Sequence, residues 1–420
     1  MIQIVRDSSG RPDLRQLSAR ALGQLVSEGL LAEAKALLSP EYRSDGLALL
    51  LAAEMTTNHS GAETEDFLKR LAQQGGTTVQ AIALRHLQRL SPQSVVDLAT
   101  GAGQEQFHVN HPHNGVRQTI CESCYLVGSL ETVDILLTYL DDAHPGNRQL
   151  AADALYRLAQ QDSLRAAVIG GVTDSLRHPS WRTLEEACEL SAFLDLSKSQ
   201  EQVVVLLNHE IPEVAAAAAF AIKEFDLDST TGPALARLNE NLRQQFALNV
   251  DEQIHRYRFT SRQTQHLCEH LGRRQVRDAD PILRGFIPKR VENGEVVREP
   301  WCRSTAIWAL GRIHDGELDA GLASLLRARL NDVDSLVPES DQVREASAYA
   351  LGWFGDRESL ESFQRFLSRK SPTRGVGHAC AWAKEKLTGE TVPVLPVLEQ
   401  TLSSDWFLRP VKPMPSESAN

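Results

Sequence analysis

Aromatic residues are scarce in this chain of 420 residues: Phe, Trp and Tyr make up 6% of it. A sheet-built core draws on aromatic and β-branched side chains, so their scarcity points to helices packed through smaller aliphatic groups. Long apolar runs are missing too. The longest small-apolar stretch, from Val214 to Ile222, falls well short of the ~20 residues a membrane span needs, and no membrane association is expected. Six cysteines in this length do not make a disulfide framework. Met1–Asp7 holds no basic segment followed by an apolar run, so no signal peptide is read there and a cytoplasmic location is expected.

Positive charge is also in short supply. The formal net charge is −11, and phosphate binding needs a dense basic face, so nucleic acid is not the expected partner. The local cluster of Arg273, Arg274, Arg277, Arg284, Lys289 and Arg290 is read as a solvated helix face. There is no Gly-rich phosphate loop, no His-Glu-x-x-His and no Gly-x-Ser-x-Gly. The reading therefore leans away from catalysis, with no cofactor and no metal expected and a small-molecule ligand left open.

What the chain does contain is a repeat. A loop with Pro or Gly leads into a variable residue, then Arg, then small residues at helical spacing, then Leu-Gly or an equivalent. Five copies align on Arg117, Arg148, Arg182, Arg303 and Arg344. The clearest run Cys302-Arg303-Ser304-Thr305-Ala306-Ile307-Trp308-Ala309-Leu310-Gly311 and Val343-Arg344-Glu345-Ala346-Ser347-Ala348-Tyr349-Ala350-Leu351-Gly352. Successive arginines lie 31, 34 and 41 residues apart where copies adjoin, a period that means stacked helical pairs. Weaker copies start near Val79, Val214 and Val376. Val133, Leu136, Leu137 and Leu140 recur as one face of a second helix. Gly128 and Gly352 stand where first helices are expected to end.

These motifs resemble the HEAT-repeat family, in the short bacterial form also found in phycobilin lyases. The resemblance covers most of residues 14 to 250 and 300 to 388. It implies an all-α, HEAT-like α-solenoid, a right-handed superhelix of eight to ten hairpins whose inner helices line a concave binding surface. The expected function is a non-catalytic scaffold or adaptor for a protein partner. The alternative is a HEAT-like enzyme or lyase acting on a bound cofactor or modified protein. The deoxyhypusine hydroxylases, a di-iron branch of this fold, place His-Glu pairs after the repeat Arg. Here those places read Gln118-Thr119, Gln149-Leu150, Thr183-Leu184, Ser304-Thr305 and Glu345-Ala346, which removes that activity.

The expected organisation is repeats over 1–250, a non-repeat insertion over 251–300, repeats over 301–390 and a Pro-rich tail over 391–420. Asn293-Gly294 signals a short hairpin in the insertion. The insertion is read either as a protruding functional element or as a passive decoration or lid. In the tail, Trp406-Phe407-Leu408 caps the last repeat or serves as a docking peptide.

Candidate binding residues fall in three groups. The repeat arginines, Arg117, Arg148, Arg182, Arg303 and Arg344, form either a structural ladder to carbonyls and Asp of the adjacent loop or an anion-binding stripe. His113, His144 and His178 each stand four residues before a repeat Arg, and His209 follows 31 residues later. They form a charge-changing edge, or they replace the Asp or Asn usual before a helix. Arg284 and Arg290 complete the set, on the basic stretch of the insertion. His108, His111 and His113 with Cys121 and Cys124 have the look of metal spacing. The repeat alignment instead places both cysteines inside the hairpin.

Overall fold

The computed structural model describes residues 1–25, 27, 29–101, 111–245, 254–290, 299–367 and 374–392. The described residues form 22 α-helices and no β-strand, as expected of an all-α solenoid. They fall into two compact units, 1–175 and 176–420.

The first unit holds α1 (Ile2–Arg6), α2 (Pro12–Gly23), α3 (Leu30–Ala36), α4 (Ala48–Met55), α5 (Ala62–Gln74), α6 (Thr77–Leu90), α7 (Pro92–Thr100), α8 (Asn114–Val127), α9 (Leu130–Tyr139), α10 (Pro145–Leu158) and α11 (Asp162–Ser175). The second holds α12 (Trp181–Phe193), α13 (Gln200–Leu206), α14 (Pro212–Phe225), α15 (Thr231–Gln245), α16 (Ile254–Arg273), α17 (Asp280–Arg284), α18 (Pro300–Ile313), α19 (Ala320–Asn331), α20 (Asp341–Phe354), α21 (Leu360–Leu367) and α22 (Arg374–Thr388).

Local chemistry sets where these helices begin and end. Pro opens α2, α7, α10, α14 and α18; its fixed φ suits the first turn, where no helical N–H is needed. Ser129 and Thr132 form a reciprocal capping box on α9, and the Asp319 carboxylate accepts the Leu322 amide on α19 at 2.9 Å. Gly128, at φ 60°, ends α8 as the sequence predicts. Gly352 does not end its helix. It lies inside α20, and Gly355, at φ 78°, supplies the left-handed cap.

Within each unit the even-numbered helices stack on one another, and the odd-numbered ones form a second layer packed on them. In the second unit this layer runs α12, α14, α16, α18, α20, α22 around one continuous core. Leu310, Leu322, Leu326 and Leu351 are all fully buried there, each worth roughly 1.5–3 kcal/mol relative to exposure. The close stacking depends on small residues. A Cβ on Gly272 would lie 2.8 Å from the Ala309 Cα, one on Gly311 3.0 Å from the Ala350 Cα, and one on Gly352 3.0 Å from the Ala383 Cα. The three glycines are thus one device repeated on α16, α18 and α20. That contact, and not helix termination, is what the Leu-Gly motif encodes.

The compact division falls after Ser175. The stretch expected to protrude is, over its described residues 254–290, a continuing repeat. Helix α16 stacks between α14 and α18, and Leu283, Phe286 and Ile287 are core residues. The period was hidden because α16 lacks the marker arginine. Eight residues before the packing glycine stand Arg303 in α18 and Arg344 in α20, but Thr264 in α16. A buried polar network fills the place. Gln263 donates to the Leu207 and Ala215 carbonyls at 2.8 and 3.0 Å and accepts from Asn241 and Arg237 at 3.0 and 2.9 Å. The Asn293-Gly294 hairpin signal, His108 and the Trp406-Phe407-Leu408 cluster lie outside the described residues.

Candidate partner-binding surface

The repeat arginines mainly hold the fold. Arg117 donates to Asp142 through Nε at 2.7 Å and Nη2 at 2.9 Å, and to the His111 carbonyl through Nη1. Arg303 grips Glu339 with two bonds of 2.7 Å and also donates to the Ile287 carbonyl at 2.9 Å. The rule is the same in both. An arginine in the first turn of one first-layer helix ties the loop before its own helix to the carboxylate in the loop before the next. Arg15 is a rung the sequence reading missed: it bonds the Val5 carbonyl and Asp45 in the same way. The signal was present as Arg15 three residues into a Pro-started helix. Arg344 donates to the Leu330 carbonyl at 3.1 Å and to Asp341 at 3.0 Å, with Phe366 4.6 Å from its guanidinium. Arg148, also buried, donates to the Asp142 carbonyl at 3.1 Å. These four named candidates are buried and spend donors internally, so they do not form an anion-binding stripe. Arg182 differs: it is half-buried and its guanidinium lies 5.1 Å over the Trp181 ring.

The histidines work locally. The Nδ1 atoms of His111, His178 and His209 each accept the amide N–H two residues ahead at 3.1 Å. That is the bond an Asp or Asn makes at such a turn. His113 and His144 are the N-cap residues of α8 and α10, and each ring lies over the glycine two residues on. Burial lowers the His111 pKa. Cys121 and Cys124 are fully buried. Burial raises both thiols, that of Cys124 to about 12. No metal-ligand cluster occurs among the described residues.

Four cations of the basic stretch are neutralised on the spot. Arg274 pairs with Asp228, Arg277 with Glu317 at 2.5 Å, Arg284 with Asp280 at 2.6 Å and with Asp319 at 2.5 Å, and Lys289 with Asp332 at 3.2 Å. Arg284 is therefore a tie between neighbouring hairpins. Arg290 is exposed at the edge of the described residues. No helix among the described residues is long and apolar enough to cross a membrane.

The surface that stands out is aromatic, and it lies on the first-layer helices of the second unit. Trp308 on α18, Tyr349 and Trp353 on α20 and Trp382 on α22 pack side by side. Ring centroids are 6.4 Å apart for Trp308–Trp353, 5.4 Å for Trp353–Trp382 and 5.2 Å for Tyr349–Trp382. Edge-to-face contacts of this kind add to the energy of burial. Arg312 covers the Trp353 ring at 5.4 Å and Lys386 the Trp382 ring at 5.5 Å, and both cations share Asp315, at 3.3 and 3.1 Å. Trp308, Tyr349 and Trp353 are half-buried and Trp382 is exposed. Trp308 and Trp353 pack on each other along a surface. Trp301, in the first turn of α18, is 51% exposed.

Beneath the same layer, His270 is fully buried. Its Nε2 donates to the Thr230 hydroxyl oxygen at 3.0 Å, since that hydroxyl gives its own proton to the Leu227 carbonyl. Nδ1 has no partner, and Asp226 stands 3.8 Å away. Burial lowers the pKa to about 4 from 6.5; Asp226 and Asp228 pull the other way, and Arg274 and Arg273 assist burial. Between those two values the unfolded chain binds more protons than the folded one, so stability is complete above pH 6.5 and falls as the pH drops towards 4. At pH 5 the loss is about 2 kcal/mol for this group. Urea unfolding at pH 7 and pH 5 checks it: the wild type should lose about that much more than His270→Gln.

No family model matches this sequence, and no curated protein does. Among solved structures, the karyopherin Kap121p bound to the extreme C-terminus of the protein phosphatase Cdc14p aligns with a TM-score of 0.54 and 11% identity. The alignment covers 92% of this chain and 48% of that one, so this chain spans about half of the karyopherin. The fold is a HEAT-like α-solenoid. An engineered protein aligns with a TM-score of 0.44 and 17% identity over 92% of this chain and 97% of that one. The complex of CpcE and CpcF of phycocyanin lyase from Nostoc aligns with a TM-score of 0.37 and 15% identity over 61% of this chain and 94% of its own. Those two likenesses carry no weight in the assignment.

Proposed function

We propose that the protein is a binding scaffold that engages a protein partner through the aromatic stripe of the second unit. The observation that carries this is the run Trp308, Tyr349, Trp353 and Trp382, left half-exposed on three successive helices and flanked by Arg312 and Lys386. Trp, Tyr and Arg are the residues that dominate interface energetics. The tight helix stacking fixes their positions beforehand, so little ordering entropy is lost on binding. The partner offers an apolar side chain to the rings. The cations and Asp315 at the rim then select orientation more than they add affinity.

Capture of tagged protein from its source cells tests the reading, with Trp382→Ser and Leu17→Ser run beside the intact chain. Both residues are exposed, Leu17 at 60% on α2, so both variants should fold, which circular dichroism verifies. A partner held by the intact chain and by Leu17→Ser should be missing from Trp382→Ser. If Trp382→Ser retains every protein that the intact chain does, the stripe is not the contact.

A further inference from the structure

We infer that the first unit carries a separate binding site, for a singly charged carboxylate on a short apolar body, in the cavity between α2, α4 and α6. The cavity measures about 410 Å³, within the size range of small-ligand sites. Arg20 and Ala21 of α2, Glu54 of α4, and Ile82, Arg85 and His86 of α6 line it. His86 is only 7% exposed and its Nδ1 has no hydrogen-bond partner. A buried polar group left in that state costs free energy.

The balance of donors and acceptors selects the ligand. Acceptors in the wall already take the protein's own donors. Glu54 Oε1 takes bonds from Arg20 at 2.8 Å and Gln16 at 3.3 Å, and the Glu54 carbonyl takes the Thr57 hydroxyl at 2.7 Å. The Gln24 oxygen takes the Asn58 amide at 3.3 Å. Donors remain. Arg85 has no carboxylate partner among the described residues, and a guanidinium offers five N–H groups in a planar fork that fits a carboxylate. Burial, with Arg89 and Arg85 nearby, lowers the His86 pKa to about 4, so at neutral pH the ring adds hydrogen bonding and not charge.

Charge fixes the rest. Arg20 and Glu54 cancel, which leaves the single charge of Arg85 for the ligand to meet. A dianion would face Glu54 across the same small space. Ala21 and Ile82 supply an apolar wall for a short aliphatic body. A free carboxylic acid and the C-terminal carboxylate of a protein ending in an aliphatic residue share this chemistry.

Isothermal titration of the full chain tests the site with hexanoate, hexan-1-ol, hexyl phosphate and a pentapeptide ending in Leu with a free carboxylate. Hexanoate or the peptide should bind saturably, one per chain, and the uncharged alcohol about tenfold more weakly. Arg85→Gln removes the unpaired cation, and Ala21→Phe fills the mouth with no change of charge. Both positions are exposed, so folding is preserved, and each should weaken binding at least about tenfold. Tighter binding of the peptide than of hexanoate identifies a protein C-terminus as the source, and the reverse identifies a free acid. The inference is overturned if neither carboxylate saturates in the millimolar range, if Arg85→Gln binds as the wild type does, or if hexyl phosphate binds best. Trp382 lies in the other unit, so partner capture and this titration fail independently.

Discussion

Replacing Arg303 by Met should destabilise the protein by about 3 kcal/mol, near the lower end of what breaking a buried ion pair costs. Arg303 and Glu339 are each 1% exposed and share two bonds of 2.7 Å. The substitution keeps an apolar stem, removes the guanidinium and leaves a buried carboxylate without its main partner. Arg329, 3.2 Å from Glu339, retains part of the compensation, which is why the upper end of the range is not expected. The Ile287 carbonyl also loses its donor. The double variant Arg303→Met, Glu339→Leu should recover much of the loss, because the charge that needed a partner is gone. Chemical denaturation of the three proteins measures this. Equal loss in the single and double variants would show that packing, and not the orphaned charge, sets the cost.

The same pair predicts a pH effect. Burial pushes the Glu339 carboxyl up, but Arg303 outweighs it and the net pKa is lowered. Its contribution is therefore present above the unfolded value near 4.5 and is lost as the pH falls through the lower folded value. In Arg303→Met the loss should begin at higher pH.

Truncating Trp353 to Ala should weaken partner binding by about 2–4 kcal/mol, some 30-fold to a thousandfold. Trp353 sits in the middle of the stripe, touching Trp308, Trp382 and Tyr349, with Arg312 over its ring. It also rests on Gly311, where any Cβ would approach the Trp353 Cε3 to 2.6 Å. Removal therefore takes away an anchor and loosens its neighbours. Because the ring is half-buried, a stability loss is expected as well. Trp353→Phe separates the two effects: it should restore most of the stability while recovering only part of the affinity. Affinity for a partner identified by capture, measured alongside urea unfolding, reads both. A Trp353→Ala protein that binds as the wild type does would move the contact off the stripe.

The chain announces its helices and their repetition openly. Pro starts, the Arg117, Arg303 and Arg344 markers and the small residues after them are local signals with local causes. The structural reading of those arginines could be framed from spacing alone, since a cation at a fixed place in each hairpin needs a carbonyl or carboxylate at the next loop. Where a repeat used different chemistry the signal vanished. Thr264 with Gln263 does in α16 what arginine does elsewhere, so that repeat carries no arginine marker. Arg15 followed the rule and was still missed: Ser18, Ala19, Ala21 and Leu22-Gly23 complete the same pattern after it, with Gly23 eight residues on.

The candidate surface was much less legible. Trp308, Trp353 and Trp382 lie 45 and 29 residues apart, and nothing local distinguishes a tryptophan packed inward from one packed along a face. The cavity in the first unit is drawn from α2, α4 and α6, so its donors meet only after three helices have stacked. The sequence alone determined an all-α chain of hairpins, because helix start signals and the 3.6-residue apolar period act over a few residues. Only the tertiary structure decided which polar groups are spent inside and which remain for a ligand. Burial and pairing are properties of neighbours, and the neighbours of each helix lie some thirty to forty residues away along the chain.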